Sequence, residues 1–363
     1  MTAFRAPPKH HEGPIEWVRV HLFDGMFNSI LTLAVVALVV WAVPPMVKWL
    51  FIDAAWRGST REACEGAAGA CWPYIGARIG QIVYGFYDFN ERWRADVVFA
   101  FGAIGLAWLT IPSLPRKGWI GGILLTLYPL VAFGLLSGGW VGLPVVSTER
   151  WGGLLLTLVV AAVGIVASLP LGVILALGRR SELPVVRAVC IAFIEVWRGV
   201  PMITVLFAAS SLLPLFLPEG LEFDKLLRAL IAIALFNSAY MAEVVRAGLQ
   251  ALPKGQYEGA SALGLGYWRT TVFIVLPQAL RIVLPGIVNN MISMFKDTSL
   301  VTIIGFFDLM GTIQAGATDL EWASPNVAVT GYIFAALIYW AFCFSMSRYS
   351  ARLEEQLAEG ERR

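Results

Sequence analysis

Charged and amide side chains are sparse in this sequence, and within apolar surroundings they come in spaced sets. Glu195 and Arg198 stand three apart, as do Glu243 and Arg246, so on a helix each pair shares a face and can neutralise itself. Both read as gate or interface ion pairs at the ends of apolar segments. A second set runs through Asn289, Asn290 and Ser293 to Lys296, Asp297 and Thr298. It offers a cation and an anion, the two partners a zwitterion needs on a substrate path; the competing reading is an ion pair that fixes a helix end. A third set, Gln256, Glu258, Gly259, Ala260, Gly264 and Arg269, combines small residues with a polar rim, as a docking helix requires. Its rival is an amphipathic helix lying on a membrane surface, for which few large apolar residues are available. Cys64 and Cys71 frame the segment CEGAAGAC, whose small residues permit a tight disulfide in an oxidising compartment; two unpaired thiols are the alternative. The three histidines, His10, His11 and His21, all fall in the first 21 residues. No catalytic residue, bound cofactor or metal ligand is therefore expected.

The elements that must position these sets follow from composition. Of 363 residues, 58% are hydrophobic and 14% charged, and the mean hydropathy is +0.71. A soluble domain carries about 25% charged residues, so the bilayer is the expected solvent. A net charge of +2 gives no reason to expect a nucleic-acid partner, and disorder is excluded by the hydrophobicity itself. Eight runs are long enough to span: about 28–50, 97–113, 119–142, 151–178, 188–217, 227–247, 273–295 and 327–347. The fold class is thus all-α integral membrane, with the first run read as a retained helix. Placing both termini in the cytoplasm makes Lys and Arg about twice as dense in the inside segments as in the outside ones. Trp119, Trp140 and Trp151 then fall at span ends, in the headgroup layer, whereas Trp41 and Trp108 fall mid-span and read as packing residues. Pro112, Pro129, Pro170, Pro285 and the Pro44–Pro45 pair read as kinks.

Residues 237–300 carry a further signal. After Pro253 a short helix is expected over 255–263, broken by Gly264 and Gly266. Glu258-Gly259-Ala260, then Gly264, then Ile274 with Leu276-Pro277, resembles the EAA signature of importer-type ABC permeases, with Gly259 in place of alanine. Trp197-Arg198-Gly199-Val200-Pro201, Asn237-Ser238-Ala239-Tyr240, Glu243 to Gly248 and Phe295 to Leu300 are similar to the polar amino-acid permease group. The length, the layout and the cysteine-bearing loop resemble the permeases of general L-amino-acid (Aap/Bzt-type) systems.

The resemblance implies a five-span core of the MetI-like type over 151–350, with an EAA coupling loop at 247–272. It implies an N-terminal extension over 1–150, with about three spans and a long periplasmic loop (51–96), and a cytoplasmic tail at 351–363. Further implications are a seat for the Glu258 segment on an ABC ATPase dimer, a second and different permease chain, and a periplasmic binding protein that delivers an amino acid. The expected location is a bacterial inner membrane, with both termini cytoplasmic. Consistently, the sequence contains no Gly-Lys dipeptide and so no P-loop; ATP and Mg are expected on the partner ATPase. A stand-alone ion-coupled transporter is the alternative, and it lacks the internal repeat such proteins often show.

Overall fold

Within a bilayer every backbone amide must be satisfied inside its own segment, and apolar runs of this length therefore wind into helices. The computed structural model describes residues 13–361, apart from 112, 141, 217, 219, 221 and 222. His10, His11, Pro112 and the last two residues of the tail lie outside the described residues. The elements are α1 (Pro14–Leu22), α2 (Gly25–Val47), α3 (Trp72–Tyr84), α4 (Arg92–Thr110), α5 (Lys117–Leu125), α6 (Leu127–Ser137), α7 (Gly153–Arg179) and α8 (Pro184–Gly199). Next come α9 (Met202–Phe216), α10 (Lys225–Ala251), α11 (Lys254–Ala262), α12 (Tyr267–Ile282), α13 (Leu284–Asp297), α14 (Leu309–Ala317) and α15 (Pro325–Glu361). Among the described residues β-structure is limited to isolated bridges. Among the described residues five helices are long and apolar enough to cross a membrane, or up to 8 if each bent pair is one span. Each of the eight runs read from the sequence falls on one of these elements.

The bent pairs are α5–α6 (42°), α8–α9 (103°) and α12–α13 (64°). Proline alone does not decide where they bend. Pro44, Pro45 and Pro170 sit inside continuous helices. At the sharpest bend Val200 and Pro201 are both extended, because a proline pushes the residue before it out of the helical region.

The chain divides into two compact units, 1–73 and 74–363. In the first, no described residue of α2 is buried, and Trp41, expected as a packing residue, is 76% exposed. The loop after α2 folds back onto its end. The carbonyls of Trp49, Leu50 and Phe51 accept from the Ala70 amide (2.9 Å), the Trp72 indole (2.9 Å) and the Trp56 indole (3.0 Å). A helix end leaves such carbonyls without partners, and the loop supplies them. Cys64 and Cys71 are disulfide-bonded within this loop, with their Cα atoms 5.6 Å apart.

In the second unit α7 and α10 form the centre. Gly164, Ser168, Gly172 and Ala176 repeat every four residues along one buried face of α7. Such a stripe of small residues lets a neighbouring backbone approach closely. A Cβ on Gly172 would stand 2.7 Å from the Met241 Cβ and 3.0 Å from the Ala242 amide nitrogen. Residues 74–150, grouped with the extension by sequence, belong to this same unit. Tyr74 on α3 is buried beside Gly316, and Arg78 pairs with Asp319 and with Glu321 (2.9 Å). Gly85, at φ +64°, leaves room for Gly152 where a Cβ would come within 2.3 Å of its Cα. Phe86 meets Phe307 edge-on at 5.6 Å. Trp151, expected at the headgroups, is instead 1% exposed and packs against Phe133, because these contacts draw the start of α7 into the core.

Candidate functional site

Three sites correspond to the three polar sets. The short helix α11 begins after Pro253, which is extended (φ −60°, ψ 141°). It ends in a Schellman turn: the Leu265 amide donates to the Ala260 carbonyl (3.1 Å) and the Gly264 amide to Ser261 (2.9 Å). Gly264 has φ +69°, the left-handed conformation this turn needs. Ala260 is buried against the unit, while Glu258, Gly259, Gly264 and Arg269 are exposed. Gln256 accepts from Gln278 on α12 (3.1 Å), and Arg180, at the end of α7, donates to the Tyr257 hydroxyl (3.0 Å) and the Leu249 carbonyl (3.2 Å). The exposed helix is therefore strapped to three membrane elements. A Cβ on Gly259 would meet nothing within 4 Å, so alanine, the residue of the EAA signature, fits there as well. Leu263 (80% exposed) and Trp268 (69%) form an apolar rim beside it.

The second site lies at the same end. Sequence spacing pairs Glu195 with Arg198; the structure instead brings in Arg179, whose Nη1 donates to Glu195 (3.0 Å) and to Glu243 (2.8 Å). Glu243 also accepts from Nη2 of Arg246 (2.7 Å) and lies 3.9 Å from Arg198. Arg198 is drawn aside over the Tyr240 ring, 5.7 Å from its centroid. One carboxylate thus gathers three guanidiniums from α7, α8 and α10. Arg179 escaped the sequence reading because its partners are 16 and 64 residues away; the visible sign was a pair of arginines closing a long apolar run.

The third site is α13 together with the turn at its end. Asn289, Ser293 and Lys296, spaced by four and three, are exposed on one stripe, with Asn290 and Asp297 half-buried beside it. The opposite face carries Ile287, Met294 and Phe295 into the core. Thr298 is separated from this set: it is fully buried, and its hydroxyl donates to the Phe295 carbonyl (2.8 Å) and lies 3.5 Å from the Tyr339 hydroxyl.

Tyr339 leads to Asp308, a residue sequence reasoning missed. Asp308 caps α14 and is fully buried. Its Oδ1 accepts from Thr302 (2.6 Å) and the Gly311 amide (2.9 Å), and its Oδ2 from Tyr339 (3.2 Å). Burial pushes the carboxyl above the usual carboxylate range, against the pull of these donors. Thr157 of α7 accepts from the Leu309 amide (3.0 Å) next door. The sign available in the sequence was a single acid in the apolar run Phe306-Phe307-Asp308-Leu309-Met310.

The fold is a helical membrane bundle that carries a short, exposed helix strapped to its membrane elements. The family described as "Binding-protein-dependent transport system inner membrane component" matches residues 168–358, and the chain belongs to it. It is 50% identical to the inner membrane amino-acid ABC transporter permease protein YhdY of Escherichia coli (strain K12), over 98% of this chain and 96% of that one. It is 39% identical to the glutamate/glutamine/aspartate/asparagine transport system permease protein BztC of Rhodobacter capsulatus, over 100% and 98%. A solved structure, "Crystal structure of an amino acid ABC transporter with histidines", aligns at 29% identity and a TM-score of 0.49 over 56% of this chain and 92% of that one. This protein is a multi-pass inner-membrane permease subunit of an ABC importer, working with ATPase and binding-protein partners.

Proposed function

We propose that this permease carries L-amino acids, that it forms half of the path, and that a second, different permease chain forms the other half. The observation that carries this reading is the exposed stripe Asn289, Ser293 and Lys296, with Asn290 and Asp297 beside it, on a largely apolar membrane helix. Polar groups within a bilayer avoid lipid and face a water-filled cavity or a polar partner, and Lys296 beside Asp297 suits the two charges of a zwitterion. The names of the two full-length relatives, both amino-acid permeases, support the substrate class.

In this reading residues 151–350 are the conducting core and both termini are cytoplasmic. The loop 247–272 couples that core to the ATPase through Gln256, Glu258, Gly259, Ala260, Gly264 and Arg269. ATP and Mg sit on the ATPase, and the present chain hydrolyses nothing. The Arg179–Glu243 cluster, including Glu195, Arg198 and Arg246, then lies at the cytoplasmic mouth, and the disulfide loop lies in the periplasm. The test is uptake of radiolabelled L-amino acids by proteoliposomes holding the complete complex, with Asn290→Ala and Asp297→Asn beside the wild type. ATP-dependent uptake that changes in rate or preference in the variants is expected. Unchanged transport and preference would remove Asn290 and Asp297 from the path, and uptake driven by an ion gradient without ATPase would defeat the reading.

A further inference from the structure

We infer that Asp308 is a positioning residue for transport, holding Tyr339 so that the Thr298 segment presents Lys296 and Asp297 in one fixed orientation. This rests on the reading of Asn289–Thr298 as the substrate path.

A helix cap does not require a carboxylate. Serine, threonine or asparagine caps as well, without the cost of burying an acid. Asp308 is nevertheless an acid at 0% exposure, and among the described residues none of its hydrogen-bond partners is a cation. Capping occupies only Oδ1. The second oxygen is committed to Tyr339, 31 residues away on α15 (3.2 Å). That commitment fixes where the Tyr339 hydroxyl stands. Tyr339 gives its one proton to Asp308 and Thr298 gives its own to the Phe295 carbonyl, so the two hydroxyls, 3.5 Å apart, meet as a packing contact. Its ring also meets Phe295 edge-on at 5.5 Å. Phe295 and Thr298 flank Lys296 and Asp297 directly in the chain, so the backbone of the charged pair is held on both sides by one tyrosine. Thr302, bonded to the other oxygen of Asp308, fixes the turn that leads to α14 (2.6 Å). The acid therefore ties the turn after α13, the start of α14 and the middle of α15 to a single point.

The test uses the complete complex in proteoliposomes, with the amino acid that the wild type takes up fastest as probe. Tyr339→Phe removes one hydroxyl and keeps the ring against Phe295. Asp308→Asn keeps the cap but can donate to Tyr339, reversing the polarity of that bond. One hydrogen bond is worth about 0.5–1.5 kcal/mol, so each variant is expected to raise the KM of uptake roughly two- to tenfold, with maximal rate and complex yield little changed. The double variant is expected to be no worse than the poorer single one, as for two residues acting through one bond. A wild-type KM and preference in Tyr339→Phe, or additive effects in the double variant, would overturn the inference and leave Asp308 a helix cap. Should Asp308→Asn fail to assemble, Tyr339→Phe still decides. Asp297→Asn, measured in parallel, separates the two readings. If it leaves transport unchanged, the path reading fails and this inference with it; if it alters preference while Tyr339→Phe does not, only this inference fails.

Discussion

Glu243 holds three arginines with one carboxylate, and its side chain is only 17% exposed. Removing it leaves Arg179, Arg198 and Arg246 facing Glu195 alone, whose side chain is 55% exposed. Removing Arg179 instead leaves Glu243 still paired with Arg246. Loss of one member of a partly buried cluster costs about 1–3 kcal/mol, less than for a fully buried pair because solvent screens part of it. Glu243→Gln should therefore lower the melting temperature of the purified complex more than Arg179→Gln does; the reverse order would show that Arg179 is the centre. What was legible here depended on distance along the chain. The i, i+3 pair Glu243–Arg246 could be read directly, because helical spacing alone places those residues together, whereas the set from Asn289 to Thr298 was read only as a run and the structure separates its exposed stripe from buried Thr298. Arg179 and Asp308 could not be read, since their partners come from other helices. Trp151 misled for a related reason: an indole at the end of an apolar run suits a headgroup layer equally well until the fold covers it.

Elements were more legible than sites. The bilayer fixes how long an apolar run must be, and the eight runs fall on eight straight or bent elements. Their packing faces were not evident, since a helix that is apolar all round gives no periodicity to read. The stripe Gly164, Ser168, Gly172 and Ala176 is the exception in retrospect, because residue size rather than polarity carries its signal. It also separates two glycines that look alike. Around Gly172 the obstacles are the Met241 Cβ and the Ala242 amide nitrogen, both fixed to the backbone of α10. Around Gly164 the nearest atoms are Cε and Sδ of Met294, the far end of a flexible side chain. Gly172→Ala should destabilise by about 1–3 kcal/mol and Gly164→Ala by less than about 1 kcal/mol. Thermal unfolding of the two variants in one detergent checks the order.

For the whole molecule, the sequence suggests a division near residue 150, at the start of the family-like core. Close packing groups residues 74–150 with that core, through contacts made by glycines whose significance no local pattern reveals. Tyr74, Ile82 and Tyr87 are each no more than 2% exposed, and a buried side chain of this size contributes about 1.5–3 kcal/mol. A chain beginning at residue 151 should therefore assemble poorly, while one beginning at residue 74 should retain the assembled permease. Yields after co-expression with the partner subunits test this, and equal yields would show that the packed segment is dispensable.

The clasp at the end of α2 also governs the disulfide beside it. The three carbonyls that receive Ala70, Trp72 and Trp56 are brought together only by a wound helix end. The loop that carries Cys64 and Cys71 thus takes its anchorage from that helix end. Ala70 and Trp72, held by that helix end, stand on either side of Cys71, so the clasp fixes the position of one of the two bonded sulfurs.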